Sequence, residues 1–338
     1  MDGVMSQDQT QDGFTSTLKR PLPTADDRLT ASHAAGRMSR RCLLRGLVGT
    51  ALSGVAGSSL GGATTEPTGE ALPKLTTMPT IGPVPQAAKS VVADVRAAEV
   101  IAGLKLHEQL VLELIEEGLQ MATGTRSAKD AWQKLLRPDD VVAVKFNHVG
   151  AKELRTNEVF AAQMVASLGR AGIGPDKIML VEVPPAVARE LKTRPCVFGW
   201  SGGKVSFGSG EEELAAFLQE VTAIINVPFM KTHNIAGMSG CLKNLSHALI
   251  RRPALYHADA CSPFVGDILA LPQIRSKLRV HVVNAIRAVM DGGPEPKPES
   301  IWPHAGVLVS TDPVAADAVA LELSLIHISE PTRLLSIS

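Results

Sequence analysis

Five short runs of β-branched and aliphatic residues constrain the fold of this chain more than any other feature: VVAVKF (141–146), IMLVEV (178–183), AIINV (223–227), VHVV (280–283) and GVLV (306–309). They are apolar at nearly every position rather than every second one, as strands covered on both faces must be. Between them the apolar period changes. Leu106, Leu110, Val111, Leu114, Ile115 and Leu119 share one helical face, 128–136 reads as a short helix ending before Pro138, and 157–168 and 211–221 read as amphipathic helices. Strands alternating with covering helices predict an α/β domain, a layered, mainly parallel β-sheet flanked by helices.

With 338 residues and 45% hydrophobic content there is material for one main globular domain, expected over 86–322. Residues 1–37 are polar and aperiodic, reading as disordered or as an over-extended start with Met38 the alternative initiator. Ser39, Arg40, Arg41, Cys42, Leu43, Leu44 and Arg45, followed by eighteen uncharged residues, then resemble a twin-arginine (Tat) export signal over 38–63. Six glycines in that uncharged run argue against a stable membrane-spanning helix. The expected partner is therefore the Tat translocase, the expected location periplasmic or otherwise extracytoplasmic, with no stable membrane span after signal removal. Residues 64–85, rich in Pro and Thr, read as a linker.

Without residues 1–63, 27 Lys and Arg face 29 Asp and Glu. Nucleic acid and anionic membrane surfaces reward a basic excess, so neither is expected as the main partner. Cysteines stand at 42, 196, 241 and 261 with no C-x-x-C pair, so neither a zinc knuckle nor a ferredoxin-type cluster has its ligand spacing. The three beyond the signal allow one disulfide and one free thiol, or three thiols.

Chemistry concentrates in residues 224–257, where an apolar strand runs into Lys231, His233, Asn234, Lys243, Asn244, Tyr256 and His257, broken by turn-forming Gly237 and Gly240. In open parallel sheets ligands bind beyond the carboxyl ends of the strands. Four strand exits carry polar groups: Asn147 and His148 after the first run, Lys231 and His233 after the third, Asn284 and then Asp291 after the fourth, and Ser310 and Asp312 after the last. Lys145, Asn147, Lys231, Lys243, Asn244, Asp291, Ser310 and Asp312 form the expected ligand-binding set, for a small anionic ligand. His233, His257 and Lys231 are the expected catalytic groups, because imidazole titrates near neutrality and a lysine after a buried strand must snorkel or find an anion. Bland roles compete. Asp312 before Pro313 reads as a helix N-cap, Asp291-Gly292-Gly293-Pro294 as a turn, and His148, His247, His281 and His304 as isolated histidines.

From 141 to 321 the chain resembles the bacterial and archaeal family known as domain of unknown function 362. The resemblance rests on VKFN (144–147), Thr156, Ala171-Gly172, INVPFMKTH (225–233), GCLKNL (240–245), Tyr256-His257, DGGP (291–294) and STDPVAADAVA (310–320). It implies an α/β protein of unassigned reaction. Some members are fused to ferredoxin-like iron–sulfur modules, whose cysteine motif this chain lacks. Two classes of function follow. One is an exported enzyme with an anion- or metal-binding site at the strand ends. The other is a non-catalytic metal- or cofactor-binding or redox-partner protein, in which His233, His257 and Asp317 would hold a divalent transition metal or iron. LSLIHISEPTR (323–333) looks like a translated transposon-type sequencing adapter, so 323–338 are expected to carry no functional information and the domain to be truncated there.

Overall fold

The computed structural model describes residues 90–329. The segment with Arg40 and Arg41 and the linker to 85 lie outside the described residues. The principal elements are β1 (Ala93–Arg96), α1 (Glu108–Thr123), α2 (Ala128–Leu135), β2 (Val142–Lys145), α3 (Asn157–Arg170), β3 (Ile178–Val181), β4 (Ala223–Asn226), β5 (Phe229–His233), α4 (Cys241–Asn244), α5 (Phe264–Ala270), β6 (Leu278–Val289), β7 (Gly306–Ser310) and α6 (Pro313–Ser329). Strands order as β1-β7-β6-β4-β2-β3. The β6, β4, β2 and β3 neighbours are parallel, while β7 is antiparallel to both β6 and β1, so five of these six strands point the same way. This is the mostly parallel α/β sheet that the sequence patterning calls for.

Both faces of the parallel strands are covered, which is why their apolar runs do not alternate. Val142, Val144, Ile178, Leu180 and Ile225 pack on one side against Val111, Ile115 and Leu119 of α1, Trp132 of α2 and Phe160 and Met164 of α3. Ala143, Met179 and Ile224 pack on the other against Leu245, Leu249 and the α5 residues Phe264 and Ile268. Phe160 meets Phe146 edge-on with ring centroids 6.4 Å apart. Gly118 lets α1 sit directly on β7, since a Cβ there would lie 2.5 Å from the Val309 side chain. Among the described residues no helix is long and apolar enough to cross a membrane.

Two elements differ from the sequence reading. The 211–221 stretch is not an amphipathic helix: Gly210–Glu213 pairs as a hairpin strand with Lys204–Phe207, and only a short 3-10 turn, Ala216–Gln219, follows. Glu212 is drawn inward by Arg252 Nε and the Tyr256 hydroxyl, each 3.1 Å away, and these tertiary partners override the helix preference of three consecutive glutamates. The fourth apolar run does not end at Asn284. The strand continues to Val289, with Asn284 donating to the Thr156 hydroxyl and Arg287 to the Leu154 and Gly103 carbonyls, so these polar side chains are satisfied inside the core. At the last helix, α6 runs unbroken through Ser329, and Leu323 packs against the cluster containing Met230 and Leu308.

Candidate functional site at the carboxyl ends of the parallel strands

β2 ends on Lys145, which is wholly buried. Its ammonium donates to the Phe146 carbonyl at 2.7 Å, to Glu182 Oε2 at 2.5 Å and to Asn244 Oδ1 at 3.0 Å, using all three N–H bonds. Glu182 follows the neighbouring strand β3 and holds a left-handed backbone, φ 62°, which is uncommon for a residue with a Cβ. Asn244 passes the chain of bonds on, donating to Asn226 Oδ1 at 2.8 Å, and Asn226 donates to the Cys241 carbonyl and to His281 Nδ1, each at 3.0 Å. Burial pushes Lys145 below the ordinary lysine range while the Glu182 charge opposes it. Burial would raise Glu182, but Lys145 and the two histidine contacts hold its carboxyl well below the usual carboxylate range.

The other Glu182 oxygen faces two imidazoles. Oε1 lies 2.5 Å from His148 Nδ1 and 3.7 Å from His247 Nδ1, and the two rings meet edge-on at 5.7 Å. The hydrogen bond to Glu182 raises the His148 pKa. These three residues stand on the wall of a cavity of about 1060 Å³, whose apolar side is formed by Val183, Phe198, Trp200 and Phe217 and whose cations are Lys152, Arg155 and Arg251.

A second group of cations adjoins the first. Lys231 lies within β5, 2% exposed, and donates to the Val149 and Pro294 carbonyls at 2.6 and 3.0 Å. Burial above all, with the Lys145 and Lys243 charges and against the pull of Glu182 and Glu295, lowers its pKa to about 8. Lys243, 6% exposed, reaches among the described residues only the Ser246 hydroxyl, at 3.5 Å, and burial lowers its pKa too. His233 Nδ1 accepts from the Ile235 and Ala236 amides, both at 3.2 Å, so the neutral ring carries its proton on Nε2. Burial, with Lys243 and His257 nearby, brings its pKa to about 4. His257 has the opposite tautomer: Nδ1–H donates to the Pro253 carbonyl at 3.1 Å, leaving a lone pair on Nε2. The two rings are 5.8 Å apart.

Of the expected site residues, Lys145, Lys231, His233, Lys243, Asn244 and His257 are therefore brought to one region. Asn147 turns back on itself, its Oδ1 accepting from the Val149 amide at 2.9 Å. Asp291 is exposed in a turn. Ser310 stands opposite His281 on the antiparallel β7, in one row with Asn226 and Lys145, but its side chain and that of Asp312 are held by backbone groups. Ser310 donates to the Val91 carbonyl, and Asp312 caps α6 by accepting from the Val314 and Ala315 amides at 2.9 and 3.1 Å. Asp317 is a correction to the metal set: its two oxygens accept the Cys241 and Leu242 amides at 2.5 and 3.0 Å, so they cap α4 instead of joining the histidines. Gly240 permits that approach, since a Cβ there would fall 2.1 Å from Asp317 Oδ1. Among the described residues the group able to converge on a metal is His148, Glu182 and His247, not His233, His257 and Asp317. Cys196, Cys241 and Cys261 are free thiols.

Glu182 was missing from the expected set, and His148 and His247 stood outside it as isolated histidines. The available signal was a carboxylate inside an apolar run, IMLVEV, where a charge needs a partner.

No curated protein matches this chain. Among solved structures it is similar to the lactate racemase apoprotein from Thermoanaerobacterium thermosaccharolyticum at 12% identity and a TM-score of 0.39, over 67% of this chain and 58% of that one, less than two thirds of the racemase's length. Residues 197–322, which carry Lys231, His233, Lys243, Asn244, His247 and His257, match the family described as Domain of unknown function (DUF362).

Proposed function

We propose that this protein is an enzyme acting on a small anionic molecule held beyond the carboxyl ends of β2, β3 and β4. One observation carries the reading: of three buried ammoniums, Lys145, Lys231 and Lys243, among the described residues only Lys145 meets a carboxylate, that of Glu182. Among the described residues no carboxylate lies within 4 Å of the Lys231 or Lys243 ammonium, and Lys231 is answered only by backbone carbonyls. Taking an ion out of water costs several kcal/mol unless a counter-charge meets it. An anionic ligand supplies that charge.

The histidines divide the proton chemistry. His257 offers a basic Nε2 and His233 a neutral Nε2–H, so one can accept a proton while the other donates a hydrogen bond to developing negative charge. The adjoining cavity, apolar on one side and lined by Lys152 and Arg155, by Arg251 in its pair with Glu213, and by the carboxylates Glu158 and Glu182, suits an acid with an apolar body, its charge met by Lys152 and Arg155. A thermal-shift panel of phosphate, sulfate, mono- and dicarboxylates tests this. Stabilisation by at least one class, lost in Lys231→Met and Lys243→Met, supports it, and equal stabilisation of all three proteins overturns it. The paired arginines support delivery of the enzyme by the twin-arginine route to an extracytoplasmic compartment.

A further inference from the structure

We propose that His148, Glu182 and His247 form a centre for a divalent transition metal, of the zinc or ferrous class that two imidazoles and one carboxylate select. The inference goes beyond the anion site and does not depend on it. The three side chains come from separate segments, after β2, after β3 and after α4, yet one ligand atom from each lies within 4.8 Å of the others. Glu182 reaches this point through a backbone conformation that favours glycine, φ 62°.

A counter-ion for Lys145 would need only one carboxylate oxygen, and Oε2 serves that role at 2.5 Å. Oε1 is left facing two imidazole Nδ1 atoms. That division is the one a ligating carboxylate shows, with one oxygen on the ion and the other fixed by a neighbouring donor. The metal would replace the proton now shared by His148 and Glu182, releasing it to solvent. All three residues line the same cavity, so coordination positions beyond the three protein ligands open into space where water or a ligand can sit.

The test is cobalt(II) added to the full chain after chelator treatment, followed by visible absorption and metal content. The expected result is one equivalent bound with an intense low-coordination band. His148→Ala and His247→Ala should lose that band and bind at least ten-fold more weakly. Their side chains are 59% and 38% exposed, so removing either opens no core, and circular dichroism with melting checks the fold. Lys231→Met, which removes an anion ligand, should keep the cobalt spectrum, so a failure of the anion reading and a failure of this one are distinguishable. No stoichiometric cobalt, or a spectrum unchanged in both histidine variants, overturns the proposal.

Discussion

Glu182 accepts the Lys145 ammonium at 2.5 Å where two neighbouring parallel strands end, and both side chains are withdrawn from solvent. Breaking such a pair from one side strands a charge in the interior, which costs about 3–5 kcal/mol. Glu182→Gln is therefore expected to lose that much in urea unfolding. Combined with Lys145→Met it should lose clearly less than the two single changes added together, because the second change removes the charge the first left unpaired. Additive losses would show that the two groups do not act as a pair.

His281 sets the response to acid. It is buried, and burial brings its pKa to about 4 from an ordinary value near 6.5, with Asp312 opposing only in part. The unfolded chain thus binds a proton that the folded chain refuses between these values. Stability from this group is present above about pH 6.5 and lost as pH falls toward 4, about 3 kcal/mol in all. His233, also near 4, changes in the same direction. Urea midpoints measured from pH 7 to 4.5 should fall, and His281→Gln should flatten the curve. An unchanged slope in that variant would remove His281 from the account.

The strands were legible because parallel strands covered on both faces must be apolar throughout, and residues 142–144, 178–181 and 223–225 carry that mark. The cationic half of the site was legible because Lys231, His233, Lys243 and Asn244 lie close in sequence. Glu182 was hidden, a single carboxylate whose partners arrive from residues 145, 148 and 247, and no local pattern encodes that convergence. Asn284 misled for a related reason: its partner, the Thr156 hydroxyl, is 128 positions away, so a satisfied core amide looked like the end of a strand.

Asp317 ties α6 to the start of α4, the helix that carries Lys243 and Asn244. Removing its two accepted hydrogen bonds in Asp317→Ala should cost about 1–2 kcal/mol by analogy with helix caps. It should also weaken anion binding without changing the pH at which binding fades, because Lys231 is untouched. Isothermal titration alongside thermal melts checks both. Full affinity with full stability would mean that α4 holds its place unaided.

Export is tested by replacing Arg40 and Arg41 together with Lys. The protein should remain in the cytoplasm with an unaltered melting temperature, as fractionation and immunoblotting would report. Wild-type delivery of the double variant would mean that the pair is not read as an export signal.

The central claim is that Lys231 and Lys243 hold an anion, and the most direct measurement is calorimetric titration of inorganic phosphate at fixed ionic strength into the wild type, Lys231→Met and Lys243→Met. Saturable one-site binding is expected in the wild type, at least ten-fold weaker in each variant, and fading above pH 8 as Lys231, its pKa lowered to about 8, gives up its proton. Equal affinity in all three proteins, or wild-type binding undiminished at pH 9.5, would contradict the account.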